Sequence, residues 1–210
     1  MKIGRDALLV RLYKCFMKQI PNLISILRTI LAITLAFFVL KNSTNHQVLN
    51  YAFWITWIVI ILDGIDGIIA RLTKSESDFG AFFDIACDRI AELIYISLFI
   101  ALKWIPFWIL IVFLVRGILV DGIRSFALKE GKTAFGKKSM MQSKIGFFLT
   151  SSRFMRFSYG TIKAIAFSFM FLAHSSMPQY LNLEMFLIYL MTLYCVVRGV
   201  PVLIEGRRYF

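Results

Sequence analysis

The sequence predicts an all-α integral membrane protein, with six transmembrane helices and an N-terminal amphipathic helix at the membrane surface. Of its 210 residues, 59% are hydrophobic and only 17% are charged, against roughly 45–50% and about 25% in soluble domains. This hydrophobicity excludes an intrinsically disordered chain. The three cysteines are too few, and odd in number, for a disulfide scaffold.

The net charge of +12 predicts an anionic partner. Nucleic acid is the usual partner of a basic protein, but the hydrophobic composition favours a membrane that contains anionic lipid. We therefore expect an anionic membrane surface, and not a nucleic acid, to be the partner of these charges.

Each predicted transmembrane helix is an apolar stretch close to the roughly 20 residues that cross a bilayer. None of the stretches alternates polar and apolar residues, so transmembrane strands are not expected. The six stretches are residues 22–40, 47–62 with a continuation to 66, 79–102, 104–121, 164–183 and 185–204.

Positive residues mark the cytoplasmic side of a membrane protein, so the 24 lysines and arginines predict the orientation. The connections between the predicted spans on one side of the membrane contain only two of these cations, Lys41 and Lys103. We therefore predict a protein of the cytoplasmic (inner) membrane whose N and C termini are both cytoplasmic. The positive segments on the cytoplasmic side are residues 1–21, 71–74, 124–163 and 207–208.

Residues 1–21 mix basic and apolar side chains, as an amphipathic juxtamembrane helix does, and lack the pattern of a cleavable signal peptide. Pro21 is predicted to end this helix, because a proline disfavours helical backbone in the residue before it. Residues 22–210 then form a single six-helix membrane domain, since the sequence contains no internal repeat and no low-complexity linker.

Four aspartates lie in, or at the ends of, two of the apolar stretches. Asp63 and Asp66 are three residues apart, and Asp84 and Asp88 are four apart, so each pair shares one helix face. The short polar connection 73–78 makes the two helices antiparallel neighbours, which brings the pairs together on the cytoplasmic side. Unpaired carboxylates are costly at this depth. A divalent cation removes the repulsion, and oxygen ligands favour Mg²⁺, Mn²⁺ or Ca²⁺ over zinc.

Glycines beside these carboxylates indicate room for a flat or bulky ligand such as a nucleotide. Gly64, Gly67 and Gly80 lie on the same helical segments as the aspartates. Arg71 follows Gly67 by about one turn and is placed to pair with a phosphate.

This arrangement resembles the signature of the CDP-alcohol phosphotransferases. The matching string is Asp63-x-x-Asp66-Gly67-x-x-Ala70-Arg71, then eight residues, then Gly80-x-x-x-Asp84-x-x-x-Asp88, with every fixed position and gap present. The resemblance implies a six-helix membrane enzyme, usually a homodimer. Such an enzyme uses a divalent metal to displace CMP from a CDP-linked lipid with an alcohol hydroxyl.

The resemblance also implies a role for each matching residue. Asp63, Asp66 and Asp84 become metal ligands. Asp88 becomes the general base, and a further metal ligand where a second ion is bound. The implied cofactor is one or two Mg²⁺ or Mn²⁺ ions, and the implied donor is CDP-diacylglycerol, with an ether-lipid donor left open. The residues implied to bind the nucleotide are Asp66, Gly67, Ala70, Arg71 and Gly80.

Basic residues further along the chain suggest the acceptor. Arg116-Gly-x-x-x-x-Gly122-Ile-Arg124 resembles the Arg-Glu-x-x-x-x-Gly-Leu-Arg stretch of phosphatidylglycerophosphate synthases, in which basic residues hold the phosphate of glycerol 3-phosphate. Gly117 stands where those enzymes have Glu, and one lysine of their downstream Gly-Lys-Ile-Lys-Thr stretch is missing. Arginine side chains bind phosphate groups through charge-assisted hydrogen bonds, so this basic segment favours a phosphorylated alcohol as the acceptor. The predicted acceptor-phosphate residues are Arg116, Arg124, Lys144, Arg153 and Arg156.

Several alternatives stay open from the sequence. Inositol phosphate is the nearest rival acceptor because it needs the same phosphate clamp, whereas serine or inositol needs fewer cations. A cation transporter would also collect acidic residues, although it predicts broken helices or inverted repeats, which the sequence does not show. The aspartates are also explained by a structural ion-pair network with Arg71 and Arg89. Arg28 and Arg198 face either a polar cavity or the membrane interface.

Overall fold

The chain folds into helices over the residues that the computed structural model describes. The backbone is described for residues 2–72, 78–129, 131 and 140–209. The side chains are described for residues 22–62, 80, 82–127, 131 and 140–208. No strand occurs among these residues, which confirms the all-α prediction. Two short 3₁₀ helices, Pro178–Tyr180 and Arg207–Tyr209, flank the last α-helix. The α-helices are α1 (Lys2–Lys41), α2 (His46–Leu72), α3 (Asp78–Ala101), α4 (Trp108–Lys129), α5 (Lys144–Ser151), α6 (Arg153–Ser175) and α7 (Leu181–Gly206).

Two segments of the described chain are long and apolar enough to cross a membrane. They are Asn22–Lys41, with mean hydropathy 2.4, and Pro178–Gly206, with mean hydropathy 2.0. His46–Leu62 is a shorter apolar segment. Large apolar side chains also cover the outer surface; Phe37 and Ile118, for example, are both 70% exposed. These features fit an integral membrane protein, while the count of six spans stays a prediction.

The predicted helix end at Pro21 is wrong, because α1 runs without interruption from Lys2 to Lys41. A proline removes one backbone hydrogen bond from a helix interior, but helices of membrane proteins tolerate this when other groups satisfy the freed carbonyl. Helix α7 likewise contains Pro201. The division into residues 1–21 and 22–210 stays a prediction.

Helix α6 begins at Arg153, well before the apolar stretch predicted to start at Ala164. The hydroxyl of Ser152 caps it by accepting a hydrogen bond of 3.1 Å from the Met155 N–H. Its first turns contribute Arg156 and Tyr159 to the lining of a polar cavity, and Tyr159 is only 7% exposed. A hydropathy pattern misses such a beginning, because the polar residues of these turns interrupt the apolar stretch although the helix continues through them.

The helices pack around an aromatic core. Helix α1 packs against α2 and α3, α2 against α6, and α7 against α6 and α4. The Phe99 and Phe171 ring centroids are 5.3 Å apart, and Tyr95 stacks on Phe167 with centroids 5.1 Å apart. Tyr95 and Phe167 also line a polar cavity. The aromatic core therefore forms the floor of that cavity.

Candidate active site

A cavity of about 380 Å³ lies between α1, α2, α3, α4, α6 and α7. Sites for small ligands commonly have volumes of roughly 300–1,000 Å³. Cationic side chains outnumber acidic ones in its described lining, which favours an anionic ligand. The charged lining residues are Arg28, Arg89, Arg116, Arg124, Arg156, Lys163 and Arg198, together with Asp84, Asp88 and Glu92.

The carboxylates of Asp84 and Asp88 project from one face of α3 into this cavity, as their four-residue spacing predicts. Arg28 Nη2 of α1 lies 3.6 Å from Asp84 Oδ1, and the Ser25 hydroxyl donates to the same oxygen at 3.4 Å. Lys163 Nζ of α6 donates to Asp88 Oδ1 at 2.8 Å. Both carboxylates remain partly accessible from the cavity, with 48% and 37% of their side-chain surface exposed.

The remaining residues of the predicted metal and nucleotide site are described less completely. Gly80 is half-buried on α3, one turn before Asp84. No three candidate metal ligands lie together among the side chains that the structure describes, and the predicted metal site stays a prediction. The predicted residues whose side chains lie outside the described set are Asp63, Asp66, Gly67, Ala70 and Arg71.

A second part of the cavity is built from arginines. Arg116 of α4 and Arg198 of α7 are only 7% and 8% exposed. Among the described residues, Nε and Nη1 of Arg116 and Nε of Arg198 are buried without a hydrogen-bond partner. A buried cation with unpartnered donors is costly, because water has been removed and nothing replaces it. Two such side chains facing one cavity therefore point to an anionic ligand.

A glycine on α7 makes room for one of these arginines. A Cβ atom at Gly199 would lie 2.8 Å from Arg116 Cγ and 3.3 Å from its Nε. The Arg116 side chain therefore crosses the α7 backbone at a point where no larger residue fits. Arg198, the residue before Gly199, enters the same cavity.

Replacing Gly199 by Ala is expected to destabilise the protein by about 1–3 kcal/mol, the usual cost of overpacking a buried site. Thermal unfolding of the full chain in detergent would measure the change. Gly122→Ala on α4 is the matched control, because nothing lies within 4 Å of a Cβ at Gly122. Equal unfolding temperatures for the two variants would contradict this account of the Gly199 contact.

A chain of polar contacts joins three of the helices around the cavity. The buried carboxylate of Glu92 accepts hydrogen bonds from the Tyr159 hydroxyl at 2.6 Å and from Arg89 Nη1 at 2.8 Å. Arg89 Nε also donates to Asp121 Oδ2 at 3.3 Å, and Arg124 Nη1 lies 3.7 Å from Asp121 Oδ1. Arg89 thus pairs with Glu92 and Asp121, whereas the ion pairs of Asp84 and Asp88 are with Arg28 and Lys163.

The structure brings three predicted acceptor residues, Arg116, Arg124 and Arg156, to the cavity. The other two, Lys144 and Arg153, are exposed and lie outside its lining. Arg28 and Arg198, which the sequence left open, both line the cavity.

The sequence analysis missed Lys163 and Glu92 as parts of this site. Lys163 follows Arg156 by seven residues and Glu92 follows Asp88 by four, so helical spacing would have placed both on the same faces as predicted residues. Neither residue was considered for the site, because Lys163 was counted with a cytoplasmic connection and Glu92 with an apolar stretch.

Comparison with known proteins yields a family match over most of the chain. The family model described as CDP-alcohol phosphatidyltransferase matches residues 18–200, which include every described charged residue of the cavity. A protein of Mycoplasma pneumoniae named CDP-diacylglycerol–glycerol-3-phosphate 3-phosphatidyltransferase is 28% identical over 133 residues, 56% of this chain and 59% of its own length.

Two further relatives have comparable similarity. A Cereibacter sphaeroides protein with the same name is 30% identical over 115 residues, 51% of this chain and 50% of its own length. A Mycobacterium tuberculosis protein named "Putative cardiolipin synthase" is 28% identical over 139 residues, 61% of this chain and 62% of its own length. The chain thus spans about half to three fifths of the length of the curated relatives it matches.

Proposed function

This chain belongs to the CDP-alcohol phosphatidyltransferase family, and on that premise we propose that it transfers a phosphatidyl group from CDP-diacylglycerol to glycerol 3-phosphate, releasing CMP. The observation that carries this proposal is the division of one cavity into a carboxylate part, with Asp84 and Asp88, and an arginine part, with Arg116 and Arg198. The carboxylate part suits metal-assisted chemistry at the donor diphosphate, and the arginine part suits the phosphate of the acceptor. The names of two relatives, both glycerol-3-phosphate phosphatidyltransferases, support the same acceptor.

The carboxylate part would carry the reaction. We propose Asp63, Asp66 and Asp84 as ligands of Mg²⁺ or Mn²⁺, because hard divalent cations prefer carboxylate oxygens. Bound there, the metal would neutralise the donor diphosphate and stabilise the departing CMP. The nucleotide would lie beside Gly67, Ala70, Arg71 and Gly80, as the family signature implies.

Asp88 would act as the general base. The acceptor hydroxyl oxygen attacks the phosphorus of the phosphatidyl group, and its proton passes to the Asp88 carboxylate. The bond between that phosphorus and the bridging oxygen of CMP breaks, and CMP leaves with the bonding electrons. Lys163 occupies Oδ1 of Asp88, so we assign the proton to Oδ2.

The arginine part would hold the phosphate of the acceptor. Charge-assisted hydrogen bonds from guanidinium groups to phosphate are strong and have a defined geometry. Arg116 and Arg198 have buried donors without partners in the described structure, and Arg124 and Arg156 line the same space. Lys144 and Arg153 stay predictions from their position in the sequence.

We also propose the topology that the charges predict, with six spans, a juxtamembrane position for residues 1–21 at the beginning of α1, and N and C termini in the cytoplasm. The active site would then face the cytoplasm, where a soluble phosphorylated alcohol is available. A homodimer and contact with anionic lipid are further proposals from the family resemblance and from the net charge of +12.

The function is tested by incubating the purified full chain with Mn²⁺ and CDP-diacylglycerol and measuring CMP. Separate reactions contain glycerol 3-phosphate, inositol phosphate, serine or inositol. We expect CMP release with glycerol 3-phosphate, loss of release with EDTA, and recovery when excess Mn²⁺ is added. No release with any acceptor would refute the class of reaction, whereas release with inositol phosphate alone would refute the acceptor.

The same preparation tests the transporter alternative. Metal-dependent ion flux through liposomes without CMP chemistry would support transport. The helices that line the cavity are continuous over the described backbone, whereas transporter sites are commonly built from broken helices.

A further inference from the structure

A second apolar cluster, separate from the aromatic core, joins the C-terminal ends of α4 and α7 to the segment before α5. Buried side chains from all three parts of the chain belong to it, among them Ile123 of α4, Val202 of α7 and Met140. The family match ends at residue 200, so the resemblance assigns no role to the last turns of α7. Their contacts therefore have to be interpreted from the geometry of this chain.

The end of α7 holds the beginning of α5 by hydrogen bonds. Glu205 Oε2 accepts from the Gln142 N–H at 2.6 Å and from the Ser143 N–H at 3.4 Å, and Oε1 accepts from the Ser143 hydroxyl. The Ser143 hydroxyl in turn caps α5, because its oxygen accepts a hydrogen bond of 2.9 Å from the Gly146 N–H. Arg208 also donates to the Gln142 side chain. Glu205 thus fixes the first turn of α5 to α7.

Two glycines at this contact leave no space for a side chain. A Cβ atom at Gly146 would overlap the Glu205 carboxylate and lie 2.7 Å from the Ser143 hydroxyl oxygen. A Cβ atom at Gly206 would overlap the Ile123 side chain of α4. Consecutive residues of α7 therefore contact α5 and α4. We call the contact of Glu205 and Gly206 with Ser143, Gly146 and Ile123 the α7 joint.

Ser152 transmits the position of α5 to α6. Its N–H donates to the Phe147 carbonyl at 3.1 Å and ends α5, while its hydroxyl caps the first turn of α6. Only this one residue separates the two helices, so the position of α5 constrains the beginning of α6. Arg156, in the first turn of α6, lines the cavity.

The other two helices of the joint also carry arginines of the cavity. Arg198 lies two turns before Glu205 on α7, and Arg124 directly follows Ile123 on α4. Guanidinium groups repel one another, so in the unliganded protein the packing of their helices has to hold them around one cavity. We infer that the α7 joint sets the relative positions of Arg124, Arg156 and Arg198, and that Glu205 is a positioning residue for the anion they bind. This inference rests on the acceptor-phosphate pocket of the proposed function.

The test is the Kd for glycerol 3-phosphate, measured by isothermal titration calorimetry on the full chain in lipid nanodiscs, together with steady-state CMP release. Glu205→Ala removes the acceptor oxygens of the joint, and Gly146→Ala displaces the carboxylate from the α5 side. We expect each variant to raise the Kd and the KM for glycerol 3-phosphate by about tenfold, as the weakening of one hydrogen bond to a charged group would. The kcat and the KM for CDP-diacylglycerol should stay nearly unchanged. A contact that only stabilises the fold would lower the unfolding temperature and the active fraction, and leave the Kd unchanged.

Two further variants serve as controls. Glu205→Gln keeps an oxygen that accepts from the Gln142 N–H and gains an NH₂ group that donates to the Ser143 hydroxyl, so we expect it to restore most of the affinity. Arg207→Ala truncates an exposed side chain at the end of α7 and is expected to bind as the wild type does. Hydrogen–deuterium exchange of residues 140–151 reports on the joint itself, and we expect it to be faster in Glu205→Ala and Gly146→Ala alone.

Wild-type affinity in the two alanine variants would overturn the inference, and CMP release by the wild type would then leave the proposed function standing. A tenfold loss in Arg207→Ala would also overturn it. Because Gly146→Ala leaves Glu205 in place, misfolding of one variant leaves the other as the test. A wild type that binds no glycerol 3-phosphate would overturn the inference together with the proposed acceptor. Weaker binding in both variants without CMP release by the wild type would refute the proposed reaction and leave the positioning role standing.

Discussion

Replacing Asp88 by Asn is expected to lower the rate of CMP release by about 10²–10⁴-fold, the usual contribution of a general base. The amide is nearly the same size as the carboxylate, but it does not take up the proton of the attacking hydroxyl. We expect the variant to insert into membranes and to keep the Mn²⁺ ion that Asp63, Asp66 and Asp84 are proposed to bind. The measurement is kcat for CMP release at saturating CDP-diacylglycerol and glycerol 3-phosphate, alongside Mn²⁺ binding.

Two variants help to interpret that loss. Asp84→Asn should lose activity through weaker Mn²⁺ binding, so the two aspartates can be separated by their metal affinities. Glu184→Gln is the control for replacing a paired carboxylate by an amide, since Glu184 pairs with His174 outside the described cavity lining. Full activity of Asp88→Asn would remove Asp88 from the role of base.

Replacing Arg198 by Ala is expected to raise the KM for glycerol 3-phosphate by about 10–100-fold and to leave the KM for CDP-diacylglycerol nearly unchanged. A hydrogen bond to a charged group contributes about 1.5–3 kcal/mol, and each 1.4 kcal/mol corresponds to about tenfold in affinity. Arg116→Ala should act in the same way, because its donors face the same cavity. Steady-state kinetics with each substrate varied in turn would measure both constants.

The unliganded protein provides an independent check on Arg198. Its buried Nε lacks a partner among the described residues, and a buried cationic donor without a partner lowers the stability of the unliganded protein. Arg198→Met is therefore expected to raise the unfolding temperature without ligand, even though its guanidinium stacks over Tyr159 at 4.9 Å. Arg207→Ala on the exposed end of the chain is the matched control. An unchanged acceptor KM in Arg198→Ala would exclude this residue from the phosphate pocket.

Helix faces were predictable from residue spacing. Asp84 and Asp88, four residues apart, face one cavity, and so do Arg116 and Arg124, eight apart. Spacing predicts such faces because the helical period is a local property of the backbone. The same reasoning would have extended the site to Glu92, which was counted only as part of the apolar stretch 79–102.

Helix ends were predicted less well. The apolar pattern begins α6 at Ala164, whereas the helix begins at Arg153, and its earlier turns carry the cavity-lining residues Arg156, Tyr159 and Lys163. Pro21 was expected to end the first helix and does not. The first error arises because hydropathy reports contact with lipid, whereas a helix continues wherever its backbone hydrogen bonds are satisfied. The second arises because a proline only disfavours helical backbone in the residue before it, and the packing of a membrane helix overrides that preference.

The all-α class, the carboxylate face of α3 and the basic face of α4 thus follow from composition and helical spacing. The pairing of Lys163 with Asp88 does not, because those residues are 75 positions apart and meet only when α6 packs beside α3. The same holds for Arg28 and Arg198, whose direction depends on neighbouring helices. Local periodicity determines which residues share a face, whereas the packing of helices distant in sequence determines which faces meet.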